Sequence, residues 1–323
     1  MKMTVIVPTY RRPSDLYRCL EALKTQERPA DQVLVTVRED DSETNAFLQE
    51  YDAPPLPLQV VRLTVSGVVA AMNAGLGGAT GDIVVLTDDD AVPQPDWLAR
   101  IADHFVADER LGGIGGRDRV HHGSEVEQGA QQVVGKVQWY GRVIGNHHIG
   151  VGPAREVEVL KGVNCAFRIT ALRPIGFDTR LRGTGAQVHW ELSLTLSLRR
   201  VGWKLIYDPA ILVEHYPAAR FDEDQREKFD YTAQSNAVFN ETLILLEALP
   251  IWRRFMFLLW AGLIGTHTAP GMLQFGRLSL AHVPNAWNFY QATFAGRVSG
   301  MKAFQSAEVS ILSRNANNHR RNQ

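Results

Sequence analysis

The sequence predicts an α/β protein with a doubly wound, mostly parallel sheet and a C-terminal helical region. Three observations support this fold class. Short apolar runs alternate with helical patterns from the N-terminus to Phe105. Residues 82–87 form an almost continuously apolar run, which is typical of a strand buried on both faces. After Tyr216 and Pro217 the alternation ends and helical patterns take over.

The first half predicts four strands, each followed by a helix. In the first helix Leu16, Cys19, Leu20 and Leu23 recur at helical spacing. The predicted strands are residues 4–8, 32–37, 58–63 and 82–87, and the predicted helices are residues 12–26, 42–51, 68–77 and 95–105. Ligands of such sheets bind beyond the carboxyl ends of the strands, so the residues that follow each strand are candidate site residues.

The second half is less regular. Residues 111–160 are rich in glycine, and we interpret them as a strand followed by a long connection, a type of loop that is often functional. Beyond it the pattern predicts a strand at 160–168, a helix at 186–201 and short strands at 203–207 and 211–213. We therefore expect one domain at 1–217 and a helical region at 218–323, whose first helix is predicted at 222–247.

The C-terminal region combines apolar and basic residues. From residue 248 onward the chain has eight basic residues and one acid, a net charge of +7, which leaves −8 for the rest. The apolar run 255–265, or 255–275 if its polar residues are included, follows Arg253 and Arg254. We prefer a helix lying in a membrane interface, while a spanning or re-entrant segment and a plain core helix remain alternatives.

The cysteine content and the N-terminal sequence indicate the cellular compartment that we expect for this protein. The two cysteines, Cys19 and Cys165, lie far apart, so a disulfide framework is not expected and a reducing compartment fits best. The apolar stretch 5–7 is too short for a signal peptide. We expect a cytoplasmic protein, peripheral on the inner face of the cell membrane.

Three consecutive carboxylates, Asp88, Asp89 and Asp90, follow the fourth strand. Adjacent carboxylates repel each other unless a cation is present, and hard divalent cations accept carboxylate, phosphate and water oxygens together. The triplet therefore suits Mg²⁺ or Mn²⁺ holding a diphosphate. An acidic turn that caps the next segment is the alternative.

A second acidic group, Asp40 and Asp41, follows the second strand. The parallel sheet would bring it to the same crevice as the triplet. A carboxylate there can accept hydrogen bonds from the N–H groups of a nucleobase. A helix N-cap at Asp41 or Ser42 is also compatible with the pattern.

These motifs together resemble a known family. Residues 5–12, 37–42, 70–75 and 81–90, followed by Pro93 and Trp97, resemble the inverting glycosyltransferases of the GT-A fold, in the second family typified by bacterial polysaccharide enzymes. The resemblance is specific over about the first 110 residues and weaker as far as His215. It implies a GT-A nucleotide-sugar domain that takes Mg²⁺ or Mn²⁺.

The resemblance also implies donor-side roles. Pro8, Thr9 and Tyr10 would frame the nucleotide, Arg11 would approach the phosphates and Asp40 would bind the base. Asp88 and Asp90 would bracket the nucleotide-sugar and the metal. The remaining assignments are Asn73 and Asp89 to the donor and His215 to the metal.

The family's catalytic base usually lies in a Glu-Asp pair ahead of a helix. Alignment on Gly202 places Glu191 at the base and Trp190 where an acid is common, while His189 is an alternative base. Asn164 and Trp190 would lie on the acceptor side. Residues 183–185 have the composition of a flexible loop over the donor sugar.

Sugar transfer to a saccharide or lipid-linked acceptor, in polysaccharide or glycoconjugate synthesis, is therefore the expected function, with a UDP-sugar the commonest donor of the family. A nucleotidyltransferase would need a glycine-rich phosphate loop, and residues 8–12 contain no glycine. A catalytically degenerate, membrane-bound adaptor is the non-enzymatic alternative. The basic tail lacks the interleaved aromatic residues of a nucleic-acid binder, and no nucleic acid is expected.

Overall fold

A computed structural model describes residues 1–223 and 228–321, with side chains described as far as residue 307. Its strands are β1 Met3–Thr9, β2 Gln32–Arg38, β3 Leu58–Leu63, β4 Ile83–Thr87, β5 Ala91–Pro93, β6 Leu111–His122, β7 Glu125–Val126, β8 Lys136–Val137, β9 Val143–Ile144, β10 Arg155–Glu156, β11 Asn164–Arg168 and β12 Lys204–His215. Its helices are α1 Pro13–Lys24, α2 Ser42–Glu50, α3 Val68–Gly78, α4 Trp97–Ala107, α5 Ile169–Leu172, α6 Trp190–Arg200, α7 Tyr231–Ala248, α8 Ile251–Leu263, α9 Met272–Leu280 and α10 Ala286–Arg321.

The central sheet is mostly parallel, as predicted. Its strand order is β10-β12-β6-β11-β4-β1-β2-β3. The four strands β3, β2, β1 and β4 are mutually parallel, and β6 and β12 are parallel to each other. Only β11, inserted between β4 and β6, and the outer strand β10 run against their neighbours along this order. The parallel strands therefore end at one edge, where a ligand crevice is expected.

Helices cover both faces of the sheet, which confirms the doubly wound arrangement. Alternate residues of β1 point to opposite sides: Val5 and Val7 pack in one apolar cluster and Ile6 in the other. Helices α1 and α4 belong to the first cluster, and α3, α6 and α7 to the second. Gly75 lets α3 approach closely, because a Cβ there would lie 2.7 Å from Cγ2 of Ile6.

The elements predicted in the first half agree closely with the structure, and those of the second half differ. The helix expected at 186–201 begins at Trp190, because residues 183–189 are held in a loop. The two short strands merge into β12, whose register against β6 shifts between Asp208 and Leu212. The helix expected at 222–247 begins at Tyr231, and residues 224–227 of that prediction lie outside the described chain.

The C-terminal helices pack against the sheet domain and against each other. Ile244 and Leu245 of α7 belong to the same apolar cluster as β1 and β4, so α7 shares the core of the predicted domain 1–217. In the apolar run around α8, Phe257 and Ala261 are buried, whereas Trp252 and Phe255 are exposed. Over the described residues, no helix combines the length and hydropathy that crossing a membrane requires. The two-part division at residue 217 stays a prediction.

Candidate active site

A cavity of about 270 Å³ opens where β1, β2 and β4 end. We call it the central cavity, and it has two sides. The strand-end wall follows β1 and β4 and comprises Pro8, Thr9, Tyr10, Asp88, Asp89 and Asp90. The closing wall comes from later segments and comprises Gly185, Ala186, Val188, His189, Trp190, Glu191 and residues 220–223. The cavity thus lies where the parallel sheet predicted a ligand site.

The acidic triplet lies on the floor of the central cavity. Asp89 and Asp90 are buried, and Asp88 is half-buried. Burial raises the pKa of Asp88 to about 6 and that of Asp89 to about 7, and the charge of Asp90 adds to both increases. Burial acts in the same direction on Asp90, but His215, whose Nε2 lies 3.4 Å from Oδ1 of Asp90, lowers its pKa to about 2. The triplet therefore concentrates negative charge that favours a cation.

Arg12 provides positive charge beside the triplet. Its Nη1 lies 2.8 Å from Oδ1 of Asp89 and 3.7 Å from Oδ2 of Asp90. The neighbouring Arg11, predicted to approach the phosphates, is exposed and lies outside the cavity lining. Arg11 has a left-handed backbone (φ 56°), and its N–H donates to Oδ2 of Asp41. The backbone turn therefore directs Arg12, rather than Arg11, to the acidic groups.

A sequence signal for Arg12 was available. Arg12 lies four residues before Leu16 and eight before Leu20, both of which are fully buried on the inner face of α1. Residues at this spacing share one face of a helix, so the pattern groups Arg12, the N-cap residue of α1, with the face that packs on the sheet. Arg11 does not belong to that series.

His215, at the end of β12, lies between two carboxylates. Its Nε2 is 3.4 Å from Oδ1 of Asp90 and its Nδ1 is 3.4 Å from Oδ2 of Asp118. Burial alone would lower the pKa of His215, but Asp118 and Asp90 together raise it to about 9. Without another cation, His215 is therefore the positive charge that these carboxylates share at neutral pH.

The residues fit a divalent cation. Asp88, Asp90 and His215 each offer one ligand atom, and these atoms lie within 4.8 Å of one another. Oδ1 of Asp90 and Nε2 of His215 are buried and have no hydrogen-bond partner among the described residues. Carboxylate and imidazole ligands together suit Mn²⁺, and carboxylates with water suit Mg²⁺. The buried polar atoms thus lack the partners that a bound ion would supply.

Glu191 lies across the central cavity in the first turn of α6. Its Oε1 accepts a hydrogen bond of 3.3 Å from the N–H of Gly162, and its side chain is half-buried. Burial raises the pKa of Glu191 above its ordinary value. Trp190 packs edge-on against Phe177 and also lines the cavity. A carboxylate whose pKa is raised, next to open space, can accept a proton from a bound hydroxyl.

His189, the alternative base, also lines the central cavity. Burial lowers its pKa, and its backbone is left-handed (φ 78°) where α6 begins. The negative charge of Glu241 raises the pKa of His189, and the positive charge of Arg297 lowers it further. His189 and Glu191 are thus both near the cavity.

The closing wall is tied down by contacts across the chain. The N–H of Ala218 donates to Oδ2 of Asp90 over 2.9 Å, and Arg12 donates to the carbonyl of Ala219 over the same distance. Oε1 of Glu223 accepts from the N–H of Thr184 at 2.9 Å. The segment that begins at Ala218 therefore contacts the acidic floor, and Glu223 joins it to the segment that begins at Thr184.

An aromatic and charged cluster forms one end of the cavity. The guanidinium of Arg38 lies 4.1 Å above the centre of the Tyr10 ring, and Phe221 meets the same ring edge-on. Arg38 also pairs with Asp222, with Nη1 3.2 Å from Oδ1. The sequence identified Tyr10 but missed Arg38, Phe221 and Asp222.

Three residues predicted for the site make other contacts. Asp40 is exposed, pairs with Arg38 and lies outside the cavity lining. Asp41 accepts from the N–H of Thr44 and caps α2, as the alternative interpretation held. Asn73 exchanges two hydrogen bonds with the backbone of Phe177, of 2.9 and 3.0 Å. The polar atoms of Asn73 are thus used within the fold.

Asn164, expected on the acceptor side, is 1% exposed. Its Oδ1 accepts from the indole N–H of Trp97 at 2.8 Å, and its Nδ2 donates to the carbonyls of Arg117 and Ile211, both at 3.0 Å. Ile211 lies where the register of β12 shifts, so its carbonyl needs a side-chain donor. Asn164 therefore joins three elements and has no group left for a sugar.

The fold and sequence agree with known proteins. Staphylococcus epidermidis poly-beta-1,6-N-acetyl-D-glucosamine synthase is 22% identical over 218 residues, which are 65% of this chain and 48% of that protein. The chain thus spans about half of this relative. The structure of GalNAc-T7 with UDP, GalNAc and Mn²⁺ is similar with a TM-score of 0.60 at 13% identity, covering 76% of this chain and 48% of that one.

Staphylococcus aureus TarS (residues 1–349) in complex with UDP-GlcNAc gives a TM-score of 0.53 at 15% identity, covering 95% of this chain and 92% of that one. These two likenesses show the GT-A fold. Residues 2–230 match the family described as "Glycosyltransferase like family 2", a span that contains both walls of the central cavity. The chain belongs to this family of glycosyltransferases.

Proposed function

We propose that this protein transfers a sugar, with inversion, from a nucleotide-sugar to a hydroxyl group of a saccharide or lipid-linked acceptor. The observation that carries the proposal is the position of Glu191 in the same cavity as Asp88 and Asp90. The ligand atoms of these two carboxylates and of His215 lie within 4.8 Å of one another. A UDP-sugar is the donor we favour, because GalNAc-T7 and TarS were solved with UDP and UDP-GlcNAc. The polysaccharide synthase relative favours a role in polysaccharide or glycoconjugate synthesis.

The residues divide the chemistry between them. Asp88, Asp90 and His215 would hold Mg²⁺ or Mn²⁺, which supplies charge neutralisation for the departing diphosphate. Tyr10 and the strand-end wall would hold the nucleotide. Glu191 would accept the proton of the acceptor hydroxyl. As this proton leaves, the oxygen of the acceptor hydroxyl would bond to the anomeric carbon, and the bond between that carbon and the diphosphate would break. One displacement at that carbon inverts its configuration.

The first experiment measures release of nucleoside diphosphate from UDP-, GDP- and dTDP-sugars, with and without Mn²⁺. We expect metal-dependent release from one donor, and its loss in Asp90→Ala. Asp82→Ala is the matched control, because Asp82 lies at the opposite, exposed end of β4. Failure of every nucleotide-sugar to bind would refute the proposal, and binding without turnover with any acceptor would favour the adaptor. Pyrophosphate release from a nucleoside triphosphate and a sugar phosphate would favour a nucleotidyltransferase.

We further propose that the C-terminal helices rest on an anionic membrane surface. Large apolar side chains are exposed there on three helices: Trp252 and Phe255 on α8 are 56% and 67% exposed, Leu273 and Leu280 on α9 are 68% and 83% exposed, and Trp287 on α10 is 55% exposed. Residues 248–307 contain five basic residues and no acidic residue. Apolar and aromatic groups with basic residues are typical of helices lying in the headgroup region.

Charge favours lipid over a second copy of the chain. Arg297 is buried and pairs with Glu241, so four basic residues of this segment remain: Arg253, Arg254, Arg277 and Lys302. Pairing this segment of two copies would bring these positive charges together, whereas anionic lipid would neutralise them. The position we propose is peripheral, on the inner face of the cell membrane. It would place the central cavity near a lipid-linked or growing polysaccharide acceptor.

Vesicle sedimentation tests this contact. We expect binding to phosphatidylglycerol-containing vesicles, weaker binding to phosphatidylcholine alone, and loss of binding in Phe255→Glu with Leu273→Glu. Val106→Glu is the matched control, because Val106 is 73% exposed on α4, outside the C-terminal helices. Equal binding of all variants would contradict the proposal, as would dimerisation that the double variant abolishes.

A further inference from the structure

Asp118 is a carboxylate with no exposed surface, next to the acidic floor of the central cavity. An ionised carboxylate in such a place is costly unless it is paired. The ammonium group of Lys161 forms an ion pair with its Oδ2, and Nδ1 of His215 lies 3.4 Å from the same oxygen. Asp118 is therefore paired with Lys161 and lies beside His215.

The register of the sheet fixes this arrangement. Strands β6 and β12 are parallel, and Asp118 pairs with Val213. His215 lies two residues beyond Val213 and so on the same face, diagonal to Asp118. Its ring therefore has one nitrogen toward Asp118 and the other toward Asp90. The backbone alone brings these groups together.

We propose that Asp118, held by its ion pair with Lys161, is a positioning residue for the metal ligand His215. A histidine that binds a metal through one nitrogen usually donates its other N–H to a carboxylate or carbonyl. With a metal bound to Nε2, Oδ2 of Asp118 would accept a hydrogen bond from the Nδ1–H group, which would keep the lone pair of Nε2 directed toward Asp90 and Asp88. This inference rests on the metal-dependent function proposed above.

Lys161 extends the arrangement toward the base. Its neighbour Gly162 donates its N–H to Glu191, and a Cβ at Gly162 would lie 2.2 Å from a ring carbon of Trp190. The ion pair with Asp118 thus anchors the segment that contacts Glu191. Asp118 is linked in this way to both sides of the central cavity.

Mn²⁺ affinity, measured by titration calorimetry, tests the inference without turnover. We expect Asp118→Asn to weaken Mn²⁺ binding by about 10- to 100-fold, the usual effect of losing such a partner. If Asp118 acts through His215, the same substitution in a His215→Ala background should have little further effect. Equal weakening in both backgrounds would overturn the inference, because the effect would not depend on His215.

The matched control is Asp208→Asn. Asp208 also lies on β12 and pairs with a histidine, with Oδ2 2.8 Å from Nε2 of His104, but it does not line the cavity. We expect its Mn²⁺ affinity to equal that of the wild type. A loss as large as that of Asp118→Asn would overturn the inference.

Further outcomes separate this inference from the proposed function. If His215→Ala weakens Mn²⁺ binding and Asp118→Asn does not, the inference fails and the metal site stands. If the wild type does not bind Mn²⁺, both fail. If Asp118→Asn does not fold, nitrogen-15 NMR of the Mg²⁺-bound wild type provides the test. The signal of His215 is identified by its absence from the spectrum of His215→Ala. We expect the ring proton of His215 on Nδ1, and a proton on Nε2 would overturn the inference.

Discussion

The two walls of the central cavity differ in how the sequence builds them. The strand-end wall consists of the last residues of β1 and the residues directly after β1 and β4, so its position follows from the order of a parallel sheet. The closing wall consists of residues 185–191 and 220–223, which reach the cavity through contacts with distant segments. The comparison indicates that the position of the strand-end wall follows from the order of the strands, whereas the position of the closing wall depends on tertiary contacts. We therefore expect substitutions in the strand-end wall and substitutions in the closing wall to affect different properties of the protein.

The largest expected effect is at Glu191 in the closing wall. Glu191→Gln should lower the turnover number by about 10²- to 10⁴-fold, because a general base is lost. Donor binding should stay close to that of the wild type, since the strand-end wall is unchanged. Steady-state kinetics with donor titration measure both quantities.

The control for Glu191→Gln is Glu156→Gln, which removes an exposed carboxylate on β10 that pairs with Arg199 of α6. It should leave turnover unchanged. If Glu191→Gln retains turnover and His189→Ala loses it, the base is His189, and the comparison between the walls needs revision.

The second prediction compares Arg12 with Arg11. Arg12→Ala should lower the free energy of unfolding by about 3 kcal/mol, because Asp89 loses the partner of a buried ion pair. Arg11→Ala should change it by less than about 0.5 kcal/mol, since its side chain is exposed. Urea denaturation measures both values. Equal losses would show that Arg12 is not specifically required beside the acidic floor.

Particular residues show how much of the candidate site can be predicted from the sequence. Asp88, Asp89, Asp90 and Tyr10 could be placed because strands of one sheet end at one edge. Glu191 and His215 came from the family resemblance, and the structure brings both to the cavity or its floor. The order of elements alone would not have assigned them.

Other residues could not be placed from the sequence for a physical reason. Asn164 and Asn73 look like polar site residues, yet their amides bond to backbone groups that only the folded chain brings near. Asp222 has no local pattern, because its partner Arg38 is distant in sequence. A side chain's use depends on which unpaired groups the tertiary structure presents to it.

The third prediction tests which aspartate matters at the aromatic end. Asp222→Asn should raise the donor KM roughly fivefold, the effect of losing about 1 kcal/mol from a partly buried ion pair. Asp40→Asn, which removes the exposed partner of the same Arg38, should have a smaller effect. A larger effect of Asp40→Asn would restore the base-binding role that the resemblance implied for it.

The smallest expected effect concerns stability and pH. Burial raises the pKa of Glu191 in the folded protein above its usual value of 4.5, so ionised Glu191 disfavours folding. Below pH 4.5 the carboxyl is protonated in both folded and unfolded chains, and the penalty is absent. As the pH rises through the folded-state pKa, the penalty grows to its full size.

Glu191→Gln should therefore raise Tm by a few degrees at neutral pH, and this gain should become smaller as the pH falls toward 4.5. Thermal denaturation at stepped pH measures this gain, with Glu156→Gln as the exposed control. A gain that is absent at neutral pH would mean that water reaches Glu191 freely, and the closing wall would then be more open than the contacts of Ala218 and Glu223 indicate.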